Sequence, residues 1–219
     1  MNGLGGHVPW REVQESITKT LAALQSLGHQ VSEEQWPFPG ERFIEDFTLI
    51  YAARAQEAKK MLPAGAEIPP AVLKGLVEPA SFAMLGISAD LTEKDVDEAY
   101  GRIDNCSKAY FSLFDKIDIL ITPVLLKPPV RIGEIHGSLP ISVLMQRLNH
   151  YGDYTMLQNA SGGPAMSLPM HWTKDGLPVG VQFAARMGGD YQLLELAFEL
   201  EAARPWAARR PPLWAPKLV

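Results

Sequence analysis

Cysteine is almost missing: Cys106 stands alone among 219 residues. An internal disulfide is therefore impossible, and neither a CxxC redox pair nor a thiolate metal cluster can be built. A reducing compartment, the cytoplasm, is the expected setting. Basic residues are in deficit too, with 20 Lys and Arg against 25 Asp and Glu, a net charge of -5 and a pI near 5.6. A nucleic-acid partner needs cations clustered on one face or along one helix. The nearest approach, Arg204, Arg209 and Arg210, is interleaved with Pro205, Trp206, Pro211 and Pro212, the composition of a tied-down tail, so no nucleic-acid partner is expected.

Long apolar runs are absent. The longest, Ile119 to Leu126, is broken by Thr122 and Pro123 and falls far short of the roughly 20 residues that span a bilayer, so no membrane partner is expected. Met1 to Pro9 has neither the basic nor the apolar region of a secretory signal. The five histidines, His7, His29, His136, His150 and His171, show no HxH or HxxxH spacing, and no metal site is expected. Gly3, Gly5 and Gly6 copy part of a dinucleotide fingerprint, but no strand precedes them, and no cofactor is expected.

What remains is the composition of a globular chain, 47% hydrophobic and 21% charged, long enough for one well-buried domain over residues 1–219. Its most heavily punctuated stretch runs from Asn159 to Ala185 and reads as strand, turn, strand. Gly162, Gly163 and Pro164 break the chain, and Ala165 to Met170 forms a short apolar run. Lys174 to Pro178 supplies a turn built on Asp175 and Gly176, both tolerant of positive φ, and Val179 to Ala185 is a buried strand.

In chain order, Pro9 to Leu27 predicts a helix on the spacing of Val13, Ile17, Leu21 and Leu24, with Gly28 at its exit. His29 caps that exit, and His29 to Trp36 alternates as a short edge strand. Glu41 to Met61 is a second helix, Pro63 to Pro70 a loop, and Ala71 to Leu85 a helix weakened by Gly75 and Pro79. Thr92 and Asp95 open a long helix reaching Lys116, with Val96, Tyr100, Ile103, Ser107, Tyr110 and Phe114 on one face. Asp118 to Val124 is so continuously apolar that both faces of its sheet must be covered by helices. Gly133 to Ser142 is an irregular loop placed to overhang a pocket. Asn149 to Asn159 leads as a helix into the punctuated stretch, and Asp190 caps a final helix through Arg204.

These residues carry a resemblance. Asn159, Gly162, Gly163, Pro164, Ala165, Ser167 and Pro169, then Gly176 to Gln182, then a helix with Leu193, Leu194, Leu196 and Ala197, resemble the carboxy-terminal end of amidase signature family enzymes. The run Asp118 to Pro123 and the ending Trp206, Arg209, Arg210, Pro211 are similar to other blocks of that family. The resemblance covers roughly Pro9 to Pro212. It implies an α/β fold, part of an amidase-type mixed sheet covered by helices on both faces. It also implies hydrolysis or transfer of carboxamide groups by a nucleophilic serine, a second serine in a cis peptide and a lysine, beside a Gly- and Ser-rich loop.

No such Gly- and Ser-rich tract is present, so no residue is assigned a catalytic role. Ser161 with Gly162 and Gly163 imitates one, but Pro164 and a strand follow instead of a helix, and its role reads as structural. The resemblance places substrate contacts at Thr122, Asp153, Tyr154, Thr155 and Asn159. Plain structural roles compete for each: Thr122 satisfying a backbone group, Asp153 capping a helix, Asn159 stabilising a turn. The leading expectation is the carboxy-terminal portion of an amidase-type hydrolase, inactive alone. Its partner would be a separate amino-terminal amidase half, or another copy through an exposed sheet edge. The alternatives are a non-catalytic binding or scaffold protein on the half-fold, and an independent enzyme with unrecognised residues.

Overall fold

The computed structural model describes residues 2–60 and 78–211, with positions 72 and 75 between them. The loop expected at Pro63 to Pro70 and part of the first half of the helix expected over Ala71 to Leu85 lie outside the described residues.

Helix α1 (Arg11–Ser26) forms where the spacing places it, burying Val13 and Leu24 along with Ser16 and Thr20. The buried Thr20 hydroxyl donates to the Ser16 carbonyl at 2.8 Å, which satisfies it inside its own helix. The segment after α1 is not a strand. Among the described residues no strand runs beside His29 to Trp36, so its backbone has no ladder to join there. His29 does not cap α1 with its ring either: its Nε2 pairs with Glu199 Oε2 at 2.9 Å, while its backbone N–H donates to the Leu24 carbonyl.

Helix α2 (Gly40–Lys60) is followed among the described residues by α3 (Pro79–Ile87). Pro79 begins α3 instead of weakening it, because at the first helical position its missing N–H costs no bond. Helix α4 (Glu93–Phe111) opens with a full capping box: Thr92 Oγ1 accepts from the Asp95 amide and the Asp95 carboxylate accepts from the Thr92 amide. Its buried line is Ala99, Ile103 and Tyr110, and Tyr100 points outward, where its hydroxyl accepts from Arg54 at 3.0 Å. Asp46 of α2, 2% exposed, takes a two-pronged contact from Arg102 of α4, with Nε and Nη2 at 2.9 and 2.8 Å.

Three strands follow: β1 (Ile119–Pro123), β2 (Ala165–Trp172) and β3 (Pro178–Ala185). They form an antiparallel sheet in the order β1, β3, β2. In the hairpin between β2 and β3 only Gly176 takes positive φ, at 79°, and Asp175 does not. Between β1 and β2 lie α5 (Ile141–Asn149) and α6 (Met156–Ser161), two short helices divided by a turn where one helix was expected. Gly162 ends α6 in the left-handed region, φ 71°, which a side chain would strain. Helix α7 (Asp190–Ala203) closes the order; Gly189 holds its N-cap position and Asp190 lies in its first turn without a side-chain cap.

Strand alternation sorts the core into two layers. Leu120 and Ala184, directly paired, face Phe43, Ile44, Ile103, Tyr110 and Leu157 from α2, α4 and α6. Val181, Phe183 and Ala185 face Leu24 of α1 and Leu193, Leu196 and Leu200 of α7. The sheet is thus covered on both faces, as the apolar β1 run required.

Candidate functional site

The residues preceding the Gly-Gly-Pro break form one knot around Asp153. Its side chain is fully buried. Oδ1 accepts from the Gly5 amide at 2.8 Å, Oδ2 lies 3.0 Å from His7 Nδ1, and the Asp153 carbonyl accepts from the Leu4 amide at 3.0 Å. The His7 ring packs against His150 with centroids 4.3 Å apart. Gly3 makes this approach possible, since a Cβ there would fall within the Asp153 carboxylate. Asp153 is therefore not a helix cap. It fastens the segment before α1 to the turn before α6.

Tyr154 is also fully buried, and burial, then the negative charge of Asp153, pushes its phenol pKa well up, so it is a neutral hydroxyl at any working pH. Thr155 is half-buried at the N-cap position of α6 without capping it through its side chain, and Asn159 projects to solvent from that helix. Thr122 lies on the α6 side of the sheet, opposite Gln182 in the ladder, and its hydroxyl accepts from Gln182 Nε2 at 3.2 Å with both residues buried. Ser167 pairs with Gln182 from the other side and is exposed. Ser161 Oγ accepts from the Gly163 amide at 3.3 Å, the local turn role expected of it.

The five expected contact residues thus fall into three environments. Asp153 and Tyr154 are interior framework, Thr155 and Asn159 reach the surface on one helix, and Thr122 is part of a polar strip, Thr122, Gln182 and Ser167, running across the sheet. The strip's other two members were not singled out from the sequence as site residues; the cross-strand register that aligns them is invisible until the hairpin is formed. Gln158 was not singled out either. It is 9% exposed, its Nε2 reaches the Tyr110 hydroxyl at 3.4 Å, and its Oε1 has no hydrogen-bond partner among the described residues. Burial raises the Tyr110 pKa, and the Gln158 bond only partly opposes it.

The loop from Gly133 to Ser142 overhangs neither of two surface clefts. One, of about 490 Å³, is lined by Gly3, Leu4, Trp36 and Glu41 among others, and the second, of about 640 Å³, lies where β1 begins and β3 passes into α7. Among the described residues no group of three or more His, Cys, Asp and Glu side chains is arranged to hold a metal ion, and no helix is long and apolar enough to cross a membrane. The polar chemistry of the strip is hydroxyl and carboxamide, buried at Thr122 and Gln182 and exposed at Ser167.

Residues 2–194 match the model of the family described as Amidase. The chain belongs to the amidase family. It is 34% identical over 200 residues to the Mycobacterium leprae protein named amidase AmiC, an alignment covering 90% of this chain and 41% of that one. It is 33% identical over 214 residues to the 6-aminohexanoate-cyclic-dimer hydrolase of Paenarthrobacter ureafaciens, covering 89% and 41%. A solved structure of a 6-aminohexanoate cyclic dimer hydrolase complexed with substrate superposes with a TM-score of 0.77 at 25% identity, over 96% of this chain and 45% of that one. The chain therefore spans less than half the length of these amidases, and the helix-covered sheet is an amidase fold element.

Proposed function

We propose that residues 1–219 are the carboxy-terminal, substrate-side portion of an amidase that hydrolyses a carboxamide C–N bond, with the nucleophile supplied by an amino-terminal half. That half is either joined to this chain or made separately. The observation that carries the reading is the coverage: nine-tenths of this chain aligns with about two-fifths of AmiC and of the cyclic-dimer hydrolase. In this reading the portion has no turnover of its own, because nothing in the sequence resembles the Gly- and Ser-rich tract with its serines and lysine. Its work is positioning.

Thr155 and Asn159 contact the substrate, Asp153 and Tyr154 fix the backbone that carries them, and Thr122 with Gln182 forms the floor on the sheet. Holding an amide within a few tenths of an ångström of an attacking oxygen is a large part of amide catalysis, and it needs a frame as stiff as the Asp153 knot. The outer edge of β1 has no strand beside it among the described residues and is where the amino-terminal half adds to the sheet. The single cysteine supports a reducing setting, the cytoplasm.

Co-purification tests the reading. A tagged amino-terminal amidase segment carrying the serine, cis-serine and lysine should retain this chain through a large apolar interface of the obligate kind. Failure to associate at micromolar concentration would leave a non-catalytic binding or scaffold protein as the better account.

A further inference from the structure

The outward face of α7 is apolar and covers nothing among the described residues. Tyr191, Leu194 and Phe198 recur at i, i+3 and i+7 and are 83%, 52% and 72% exposed, while Leu193, Leu196 and Leu200 on the inward face fill the core. Met187, 59% exposed in the turn before the helix, lengthens the stripe. Single exposed apolar residues need no explanation, but a continuous stripe of this kind marks an interaction surface. At its amino-terminal end the stripe meets the 640 Å³ cleft, whose walls include Phe114, Ile117, Arg186, Gly189 and Tyr191.

We propose that a second copy of this chain occupies the stripe, α7 lying antiparallel to α7 of the partner about a two-fold axis beside Leu194. A two-fold interface must be complementary to itself, and three features of this face are. Leu194 stands near the midpoint between Tyr191 and Phe198, so reversing the helix about it sets each Tyr191 against the partner's Phe198 and Leu194 against its own copy. The two ends also differ in relief. Phe198 is the projecting side chain of the carboxy-terminal end and the cleft is the recess of the amino-terminal end, so antiparallel docking brings each projection to a recess.

Charge agrees with the same arrangement. Arg186 lies on the cleft wall, and Glu201 follows Phe198 by three positions on its own helix; reversal places each Arg186 near the partner's Glu201. Aromatic side chains bury about 150–250 Å² each, so two of them per copy with Met187 and Leu194 give a contact near the lower end of the roughly 1,200–2,000 Å² used by specific complexes. A reversible dimer results. Glu195 falls beside the axis in both copies, so like charges oppose there, and this register predicts that Glu195→Gln tightens the dimer.

The test is sedimentation velocity on the full chain across the micromolar range. A concentration-dependent dimer is expected, weakened by about tenfold or more in Phe198→Asp or Tyr191→Asp and strengthened by Glu195→Gln. Thermal unfolding should move little, since these side chains are already exposed. A cross-link keeps the idea testable if an aspartate variant folds poorly: in a Cys106→Ser background, Leu194→Cys should join two copies on mild oxidation, and Thr18→Cys should not. A monomer throughout the range would overturn the proposal, as would a dimer indifferent to these changes, which would put the contact elsewhere, for example at β1. Release of the dimer when the nucleophile-bearing half binds would also overturn it, since the stripe would then belong inside the amidase fold. Dimerisation does not depend on amide turnover, so a dimer without that half leaves the two proposals separable.

Discussion

Gly3→Ala pushes a methyl group into Asp153. A Cβ on Gly3 would lie 2.8 Å from Asp153 Cβ and closer still to its carboxylate, which cannot swing aside because Gly5 and His7 hold both oxygens in a fully buried pocket. Overpacking of this sort costs about 1–3 kcal/mol, and a displaced hydrogen bond to a charged group adds about 1.5–3 kcal/mol. Asp153→Ala alone removes both carboxylate bonds and strands the Gly5 amide, at about 3–5 kcal/mol. In the double variant the new methyl enters the space the carboxylate left. The pair should then be less destabilising than the sum of the singles by about 1–3 kcal/mol. Urea unfolding followed by circular dichroism at neutral pH measures all four corners of the cycle. Additivity within about 0.5 kcal/mol would refute the knot, because it would mean that residue 3 and Asp153 do not touch.

Thr92→Ala should cost about 1 kcal/mol in the same assay by removing the α4 N-cap. Hydrogen bonds from Thr92 hold the Asp95 carboxyl below its ordinary range, so its contribution is fully present above that range and is lost as pH falls through the depressed folded value; a titration of α4 stability in Asp95→Asn against the parent reads it, and parallel curves would count against the box. Arg102→Ala leaves Asp46 with Arg42 alone, at 3.2 Å, and should lower stability, checked as a fall in the urea midpoint. Gln158→Met removes a buried acceptor that has no partner among the described residues, but also the bond to the Tyr110 hydroxyl; in a Tyr110→Phe background, where that bond is already gone, the expected melting temperature is unchanged or raised, and a fall of several degrees there would show that Gln158 Oε1 is bonded.

Local chemistry was legible wherever it was self-contained. The Thr92–Asp95 box, the Gly162 exit and the two strands flanking Gly176 all act within a few residues, and each formed. Pro79 and Tyr100 went the other way because position decided them: a proline at the first turn costs nothing, and a tyrosine one step off the buried line turns outward. The segment after α1 alternates like a strand, but alternation makes a strand only where a neighbour exists. Asp153 was singled out from the sequence as a substrate contact, but the bonds it makes in the fold were not legible, since its partners lie 146 and 148 residues away. Gly3 and Gly5, which look like a broken dinucleotide motif, are the close approach and the amide donor for that carboxylate. Thr122 was found at the end of β1, but its bond to Gln182 is set by strand register, which no single strand encodes.

The most direct measurement is amide turnover with and without the complementary half. The purified chain should not hydrolyse benzamide or propionamide above buffer background, and co-expression with an amino-terminal segment bearing the serine, cis-serine and lysine should restore hydrolysis, with Asn159→Ala shifting substrate preference while leaving the unfolding midpoint in place. Turnover by the chain alone that survives re-purification and is lost on changing one of its own residues would contradict the account.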